Sequence, residues 1–166
     1  MSIGESMLPE FDIEMATTRR VLERVPTDKG QWKPHPKSFS IGHLTQLVAR
    51  MPGWITMTMR NPVLDLGDFT GYSYETTETL LKEFDKNVGE AREILASAKD
   101  EAFAQPWSLK RGDQVFFTLP VGAVVRQNIS HLVHHRGQLT VYLRLLDIPV
   151  PSIYGPTADE GMPTFS

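Results

Sequence analysis

The sequence predicts a single all-α domain in which four helices pack as a bundle. Apolar residues recur at spacings of three, four and seven in four long segments, which is the period of a helix that buries one face. The segments are separated by loops rich in proline and glycine, and they do not alternate with strands as in a sheet-based fold. Because a chain of 166 residues is long enough to bury one core, we expect residues 1–166 to form one domain.

The first two helices are bounded by prolines and by one capping serine. Helix one is predicted from Pro9 to just before Pro26, since proline suits a first helical turn and stops a helix that precedes it. A long proline-rich loop then runs to Ser40, which is a suitable N-cap for helix two. Pro52 should kink or interrupt that helix, and residues 64–73 are predicted to form a loop.

The second half of the chain predicts two further helices with a hairpin between them. Helix three is predicted from Thr76 or Thr77 to Asp100. Before Pro120 the pattern changes to two short extended pieces around a turn, which indicates a small β-hairpin. Helix four, the longest and most apolar segment, begins at Pro120 and stops before Pro149.

Composition excludes several functional classes. The chain has no cysteine, so disulfides and thiolate ligands are absent and any metal would need histidine or carboxylate ligands. A net charge of −3 provides no basic field for nucleic acid. The start lacks a secretory signal pattern, and no apolar run approaches the roughly 20 residues that span a bilayer. We therefore expect a cytoplasmic protein with no nucleic-acid or membrane partner.

Histidines provide the specific chemical lead. His131 and His135 are one turn apart on predicted helix four and project from one face, which the apolar pattern places toward the core, whereas His134 is rotated toward the rim. Two imidazoles at this spacing can bind one divalent cation, or they can form hydrogen bonds to neighbouring helices. His43, in the first turn of helix two, either completes a three-histidine metal site or is hydrogen-bonded near Ser40.

Motifs in both halves of the chain resemble those of the DinB-like superfamily of bacterial proteins. The segment NISHLVHHRGQLTVYLR at 128–144, the following DIPVPSIYGPTADE, the string WKPHPKS and the opening LPEF carry the resemblance, which covers nearly the whole chain. It implies a four-helix bundle with a long crossover connection, often homodimeric. It also implies a nickel or zinc ion held by one histidine of helix two and by the H-x-x-x-H of helix four, which maps onto His131 and His135.

One position departs from the family pattern. In relatives the helix-two histidine occupies the place where this chain has Leu47, and His43 lies one turn earlier, about 6 Å along the helix axis. Leucine cannot bind a metal. Either His43 substitutes as the third ligand with shifted geometry, or this chain binds metal weakly or not at all.

Two functional hypotheses follow from the resemblance. The first is a metal-dependent enzyme of hydrolase or thiol-dependent transferase type, acting on a small molecule or low-molecular-weight thiol at an open coordination position. The second is a catalytically degenerate, stress-associated dimeric scaffold or binding protein without a metal, in which His131 and His135 form hydrogen bonds in the core. Asp159 and Glu160 are interpreted as part of a solvated tail, or as partners that orient a histidine.

Overall fold

Helices dominate the structure, a computed structural model that describes residues 1–68, 71–73 and 75–164. Within those ranges five α-helices and three short strands follow one another along the chain, joined by single-turn 3-10 helices and loops. Their bounds are α1 Ile3–Leu22, α2 Ile41–Arg60, β1 Val63–Asp65, α3 Thr77–Ser97, α4 Asp100–Ala104, β2 Pro106–Arg111, β3 Gln114–Pro120 and α5 Val121–Leu145. The predicted helical class is therefore confirmed, with a small sheet added to it.

The four long helices enclose the core. Helix α2 packs against α3 and α5, and α1 packs against the same two helices. Among the largest side chains that are fully buried between them are Phe11, Leu44, Phe84 and Leu132. None of the helices in the described part of the chain is long and apolar enough to cross a lipid bilayer.

Helix α1 begins earlier than the sequence analysis predicted. The Ser2 hydroxyl accepts a hydrogen bond from the Glu5 amide at 3.2 Å, and the Glu5 carboxylate accepts one from the Ser2 amide at 2.7 Å. This reciprocal capping box satisfies two amides that would otherwise lack partners. The predicted start at Pro9 is therefore wrong, because the helix runs through that proline; it ends at Leu22.

Helix α2 is capped as predicted but is not interrupted. The Ser40 hydroxyl accepts a hydrogen bond from the His43 amide at 3.2 Å, which confirms the N-cap. The helix continues through Pro52 to Arg60. Because α2 packs against both α3 and α5, these tertiary contacts compensate for the stability that is lost with the backbone hydrogen bond that proline cannot donate.

The end of α3 also differs from the prediction. Thr76 is the N-cap, as expected, but α3 ends at Ser97 and the chain becomes extended at Ala98. Asp100 then starts the short helix α4, and its carboxylate accepts a hydrogen bond from the Ile3 amide at 2.7 Å. This contact requires Asp100 to turn toward the first turn of α1, away from the axis of α3.

The predicted hairpin is present and carries a third strand. Strands β2 and β3 pair antiparallel around Gly112, whose φ of 56° is the left-handed conformation that glycine adopts easily. Strand β1 pairs parallel with β2, with Val63 opposite Ser108. The prediction of a continuous loop over residues 64–73 is therefore wrong at its start, and residues 69 and 70 of that loop lie outside the described part of the chain.

The C-terminal segment is tied to the helices by ion pairs. Arg144 binds Asp159, and Glu160 accepts hydrogen bonds from Arg20 and, at 2.8 Å, from Arg24. The interpretation of these acids as a solvated tail is therefore wrong, and their partners are arginines in α1, just after α1 and in α5, not histidines. The sequence could not show these partners, because residues far apart in the chain meet only after the C-terminal segment folds back along the helices.

These ion pairs should make the fold sensitive to acid. The hydrogen bond from Arg144 holds the pKa of Asp159 below its ordinary value of 3.8, and the Ser152 amide lowers the pKa of Glu160 below 4.5. A carboxylate with a depressed pKa in the folded state contributes stability above its unfolded pKa, and this stability is lost as pH falls through the folded value. We expect the melting temperature of the wild type to fall more steeply below about pH 4.5 than that of an Asp159→Asn/Glu160→Gln variant.

Thermal melts followed by circular dichroism between pH 7 and pH 3 measure this difference. The exposed turn residue Asp113 offers a matched control, and Asp113→Asn should retain the wild-type slope. Equal slopes for the wild type and the double variant would contradict a contribution of these pairs to acid sensitivity.

Candidate metal centre

Helix α5 places His131 and His135 ring against ring. Their Nε2 atoms lie 2.9 Å apart and their ring centroids 4.7 Å apart, as expected for side chains one turn apart on a helix. His131 is exposed and His135 is half-buried. The expectation that both point into the core is therefore wrong: the pair lies at the border between the buried face of α5 and solvent.

The buried face of α5 is centred on other residues. Leu132, Arg136, Leu139 and Leu143 are all at most 2% exposed, and Leu132 follows His131 by about 100° around the helix. The apolar pattern of the sequence could not distinguish the direction of His131 from that of Leu132, because half-buried positions such as Tyr142 also belong to the pattern.

Gln138 sets the protonation pattern of the pair. Its Oε1 lies 2.8 Å from His135 Nδ1, and its Nε2 lies 3.2 Å from His134 Nε2. In this orientation of the Gln138 amide its oxygen accepts a hydrogen bond, which assigns the proton of His135 to Nδ1 and a lone pair to Nε2. His131 must then donate its Nε2 proton to that lone pair.

The same arrangement fits two ligands of one divalent ion. His131 and His135 would hold such an ion through their Nε2 atoms, which already lie 2.9 Å apart, and neutral imidazole nitrogens are ordinary ligands of zinc and nickel. His135 is already in the ligating tautomer, and the bond to Gln138 resembles the outer hydrogen bonds that orient metal-bound histidines. Binding requires only that His131 move its proton from Nε2 to Nδ1.

The surroundings of His131 favour its neutral form. The indole ring of Trp54 lies 5.9 Å from the imidazole ring. Partial burial of the ring lowers the pKa of His131, and the charges of His135 and His134 lower it further. A lowered pKa favours the neutral imidazole, which is the form that binds metals.

His43 occupies a different place. Its ring stacks on Phe39 at a centroid distance of 4.3 Å and contacts Tyr72 at 4.7 Å. The Phe39 carbonyl accepts a hydrogen bond at 3.3 Å from Tyr142, which follows His135 by seven residues or about 10 Å along α5. His43 therefore packs among aromatic rings beyond the C-terminal side of the pair, and the structure does not bring these three histidines together.

The structure also shows what α2 presents instead of a ligand. Leu47, at the position where the resemblance implies a histidine, is 6% exposed and belongs to the core. In the described residues, no group of three or more histidine, aspartate or glutamate side chains converges as a metal would require. The side chains of this chain thus fit a two-histidine attachment, and the three-histidine set that the sequence suggested is incomplete.

Two cavities lie near these histidines. One, of about 260 Å³, surrounds His43 and is lined by Lys33 and hydroxyl groups; partial burial, followed by the charge of Lys33, lowers the pKa of His43. The other, of about 410 Å³, is a cleft between α2 and α3 that is lined by Trp54, Arg50 and Arg60. Trp54, whose ring lies 5.9 Å from that of His131, lines this second cleft, whereas no residue of α5 does.

Sequence reasoning missed two members of this site. Gln138 lies three residues after His135, a spacing that places two side chains side by side on a helix, and this signal was available. Trp54 contacts a histidine of a remote helix, and no sequence signal could show that contact.

Comparisons with known proteins agree on the family and the fold. A family model described as the DinB superfamily matches residues 10–139. A DinB-like protein from Bacillus cereus ATCC 10987 superposes with a TM-score of 0.70 at 19% identity, over 90% of this chain and 97% of its own. A second DinB-like structure, YjoA from Bacillus subtilis, has a TM-score of 0.66 at 18% identity, over 85% of this chain and 92% of its own.

A curated relative matches over a short segment. The uncharacterized protein YrdA from Bacillus subtilis strain 168 is 45% identical over 42 residues. The matched segment spans a quarter of this chain and a quarter of that relative.

Proposed function

Because the chain belongs to the DinB superfamily, we propose that it is a metal-dependent enzyme of hydrolase or thiol-dependent transferase type in which His131 and His135 hold one zinc or nickel ion. The observation that carries this proposal is the 2.9 Å separation of the two Nε2 atoms, together with the hydrogen bond from His135 to Gln138. These side chains provide a partly assembled, solvent-accessible site.

Each residue around the pair has a definable task in this proposal. When bound, a divalent ion with open coordination positions lowers the pKa of a water or thiol and so supplies a nucleophile at neutral pH. Gln138 fixes the ring of His135 and its tautomer. Trp54 shields one side of His131 from water and forms the wall that separates it from the cleft.

The cleft between α2 and α3 is the proposed binding place for a small-molecule substrate. Its volume of about 410 Å³ is within the range of small-molecule pockets. Arg50 forms an ion pair with Glu83 at 3.0 Å, and Arg60 and Asn87 also line the cleft. Positively and negatively charged side chains there suit a substrate that carries both an acidic and a basic group, such as a thiol with amino and carboxyl groups.

We also propose the finer architecture of the fold as a four-helix bundle with a long crossover. The main neighbours of α1 among the long helices are α3 and α5, although α2 follows it in sequence. The loop of residues 26–40 then connects two helices that lie diagonally across the bundle.

Replacing His135 by alanine should abolish metal loading. The variant keeps only one imidazole of the pair, and a single histidine on an exposed helix face does not retain an ion through dialysis. Untagged protein is incubated with zinc or with nickel, dialysed exhaustively and subjected to elemental analysis. We expect about one ion per chain in the wild type and none in the variant, with an unchanged helical circular dichroism spectrum.

His35, which is exposed in the loop before α2, provides the control, and His35→Ala should load metal normally. If His135→Ala retains the ion, the assignment of the ligands is wrong. If the wild type retains none, the metal-dependent enzyme is rejected.

A second candidate is a DinB-like scaffold or binding protein without a metal. Two observations favour it: Leu47, which the resemblance aligns with the third ligand, is buried, and His131 and His135 form a hydrogen bond to each other without an ion. It predicts that stoichiometric zinc or nickel leaves the melting temperature unchanged, because only a ligand that binds the folded state stabilises it.

A further inference from the structure

The cavity around His43 is rich in hydrogen-bond donors. Its volume is about 260 Å³, and several of the side chains that line it can donate: Gln31, Lys33, Ser38, Ser40 and His43. No aspartate or glutamate of the described part of the chain belongs to this lining. A concave surface with a cation and several donors favours a ligand that accepts hydrogen bonds and carries negative charge.

These donors are largely without partners in the residues that the structure describes. Lys33 forms no ion pair there, and neither the Ser38 hydroxyl nor the His43 ring forms a hydrogen bond. The Ser40 hydroxyl accepts a hydrogen bond from the His43 amide at 3.2 Å, which leaves its own proton free to be donated. A ligand can therefore be bound without breaking hydrogen bonds inside the protein.

The backbone holds the two sides of the cavity together. The Ile41 amide donates to the Trp32 carbonyl and the Gly42 amide donates to the Gly30 carbonyl, both at 2.9 Å. These bonds attach the loop that carries Lys33 to the first turn of α2. They also occupy the first amides of that helix, so the ligand must be held by side chains. Binding to walls that are already fixed costs little conformational entropy.

Aromatic rings form another wall of the cavity and orient His43. Phe39 stacks on the imidazole with ring centroids 4.3 Å apart and an interplanar angle of 16°, and Tyr72 contacts the same imidazole at 4.7 Å. The ring nitrogens are then the groups that His43 can offer to a ligand. Ser73 also lines the cavity, but its hydroxyl donates to the Glu75 carboxylate at 3.2 Å.

The number of donors and the size of the cavity distinguish between anions. A phosphate group presents more acceptor oxygens than a carboxylate does, and it therefore suits an ammonium, two hydroxyls, an amide and an imidazole better. Lysine is a common phosphate ligand. The cavity is smaller than the roughly 300–1,000 Å³ of pockets that hold drug-sized ligands, so the rest of the ligand must be small.

We propose that this cavity binds the phosphate group of a small organic molecule, with Lys33 as the counter-ion and Ser38, Ser40 and His43 as hydrogen-bond donors. The site contains neither histidine of the α5 pair and needs no metal, so phosphate binding is independent of the proposed function. It assigns a role to His43, which the structure separates from that pair.

Isothermal titration calorimetry tests the ligand class with three probes: phenyl phosphate, inorganic phosphate and phthalate. Ionic strength is held constant because salt screens exposed charges. Phenyl phosphate should bind most tightly, since its ring can pack on Phe39. Phthalate is an aromatic dianion with carboxylates in place of phosphate, and it should bind about tenfold more weakly or worse.

The probes also separate the possible sources of the phosphate. If phthalate binds as tightly as phenyl phosphate, the assignment of a phosphate group is overturned. If inorganic phosphate binds as tightly as phenyl phosphate, the ligand is the free ion and the organic portion of the assignment is overturned.

Two variants locate the binding site. Lys33→Met removes the charge and should weaken phenyl phosphate binding about tenfold or more, as the loss of a hydrogen bond to a charged group implies. His43→Phe removes the ring nitrogens but keeps an aromatic ring against Phe39, so it should weaken binding without changing the circular dichroism spectrum. Lys37 is exposed in the same loop and does not line the cavity, so Lys37→Met should bind as the wild type does.

Nuclear magnetic resonance provides a readout that depends on contact with the ligand. Phenyl phosphate should shift the backbone amide resonances of Ser38, Ser40 and His43 in the wild type, and these shifts should be lost in Lys33→Met. The inference is overturned if these resonances do not move, if Lys33→Met binds with wild-type affinity, or if Lys33→Met and Lys37→Met weaken binding equally.

Discussion

Arg136→Met is expected to lower the free energy of unfolding by about 3–5 kcal/mol, because it leaves a buried carboxylate without its counter-ion. Arg136 is 2% exposed and Glu14 is 7% exposed. The guanidinium Nη1 lies 2.6 Å from Glu14 Oε2, which has no other hydrogen-bond partner in the described chain. Unfolding by urea, followed by circular dichroism, measures the loss.

The hydrogen bonds around this ion pair explain why the effect is large. Arg136 also donates to the Glu14 carbonyl and to the Thr18 hydroxyl, both at 3.2 Å, and to the Tyr154 hydroxyl at 2.9 Å. Tyr154 in turn donates to Glu14 at 2.7 Å. The cluster joins α1, α5 and the C-terminal segment, so its loss weakens three parts of the fold together.

Two further variants test the cause. Arg136→Met/Glu14→Met removes both charges and should recover most of the lost stability, since apolar residues often replace a buried ion pair at little cost. The exposed pair of Arg92 and Asp12, 2.9 Å apart, is the surface control, and Arg92→Met should have little effect. If Arg136→Met costs no more than Arg92→Met, the buried pair does not stabilise the fold.

The ion pair also bears on the metal centre. Arg136 follows His135 directly, and because its side chain is anchored in the core, it fixes the rotation of α5 about its axis. That rotation determines that His131 and His135 lie at the border of the buried face. Loss of zinc binding in Arg136→Met would accordingly follow from a displaced helix, without direct contact with the ion.

Gly4→Ala is expected to destabilise the protein by about 1–3 kcal/mol, although alanine usually stabilises a helix relative to glycine. A Cβ atom at Gly4 would lie 2.0 Å from the Leu95 carbonyl oxygen and 3.3 Å from the ring of Phe103. The first of these contacts is with backbone, which cannot move aside as a side chain can. Helix α1 must therefore shift away from α3, and the packing between them is lost.

Gly89 provides a matched control within α3. It is exposed, and a Cβ atom there would meet nothing within 4 Å. Gly89→Ala should therefore stabilise the protein by about 0.5–1 kcal/mol, through its helix propensity alone. Both variants are measured by thermal and urea unfolding, and a neutral or stabilising Gly4→Ala would show that α1 and α3 do not depend on this close approach.

The fold class and several element boundaries were predictable because their signals are local. The helical period identified the four long helices, and Ser40 and Thr76 cap their helices as polar side chains before apolar runs do. The turn at Gly112 marked the hairpin. The signal for the true start of α1 was local as well, because Ser2 and Glu5 have the spacing of a capping box. The prediction relied on Pro9 instead.

Other elements could not be predicted because they depend on remote partners. Strand β1 has three residues and exists because β2, more than forty residues later, pairs with it. Helix α2 continues through Pro52 because α3 and α5 hold it on both sides. A sequence window contains neither partner, so each segment alone is indistinguishable from a loop or a break.

The candidate site likewise has some features that the sequence determines and others that depend on the tertiary structure. The spacing of His131 and His135 determined that their rings meet, because the geometry of a single helix decides which side chains share a face. Only the tertiary structure decided that this face borders solvent, that Arg136 is buried with Glu14, and that His43 packs against Phe39 away from the pair. Burial and convergence of side chains from different helices depend on how those helices pack, and packing is set by the whole core and not by any one segment.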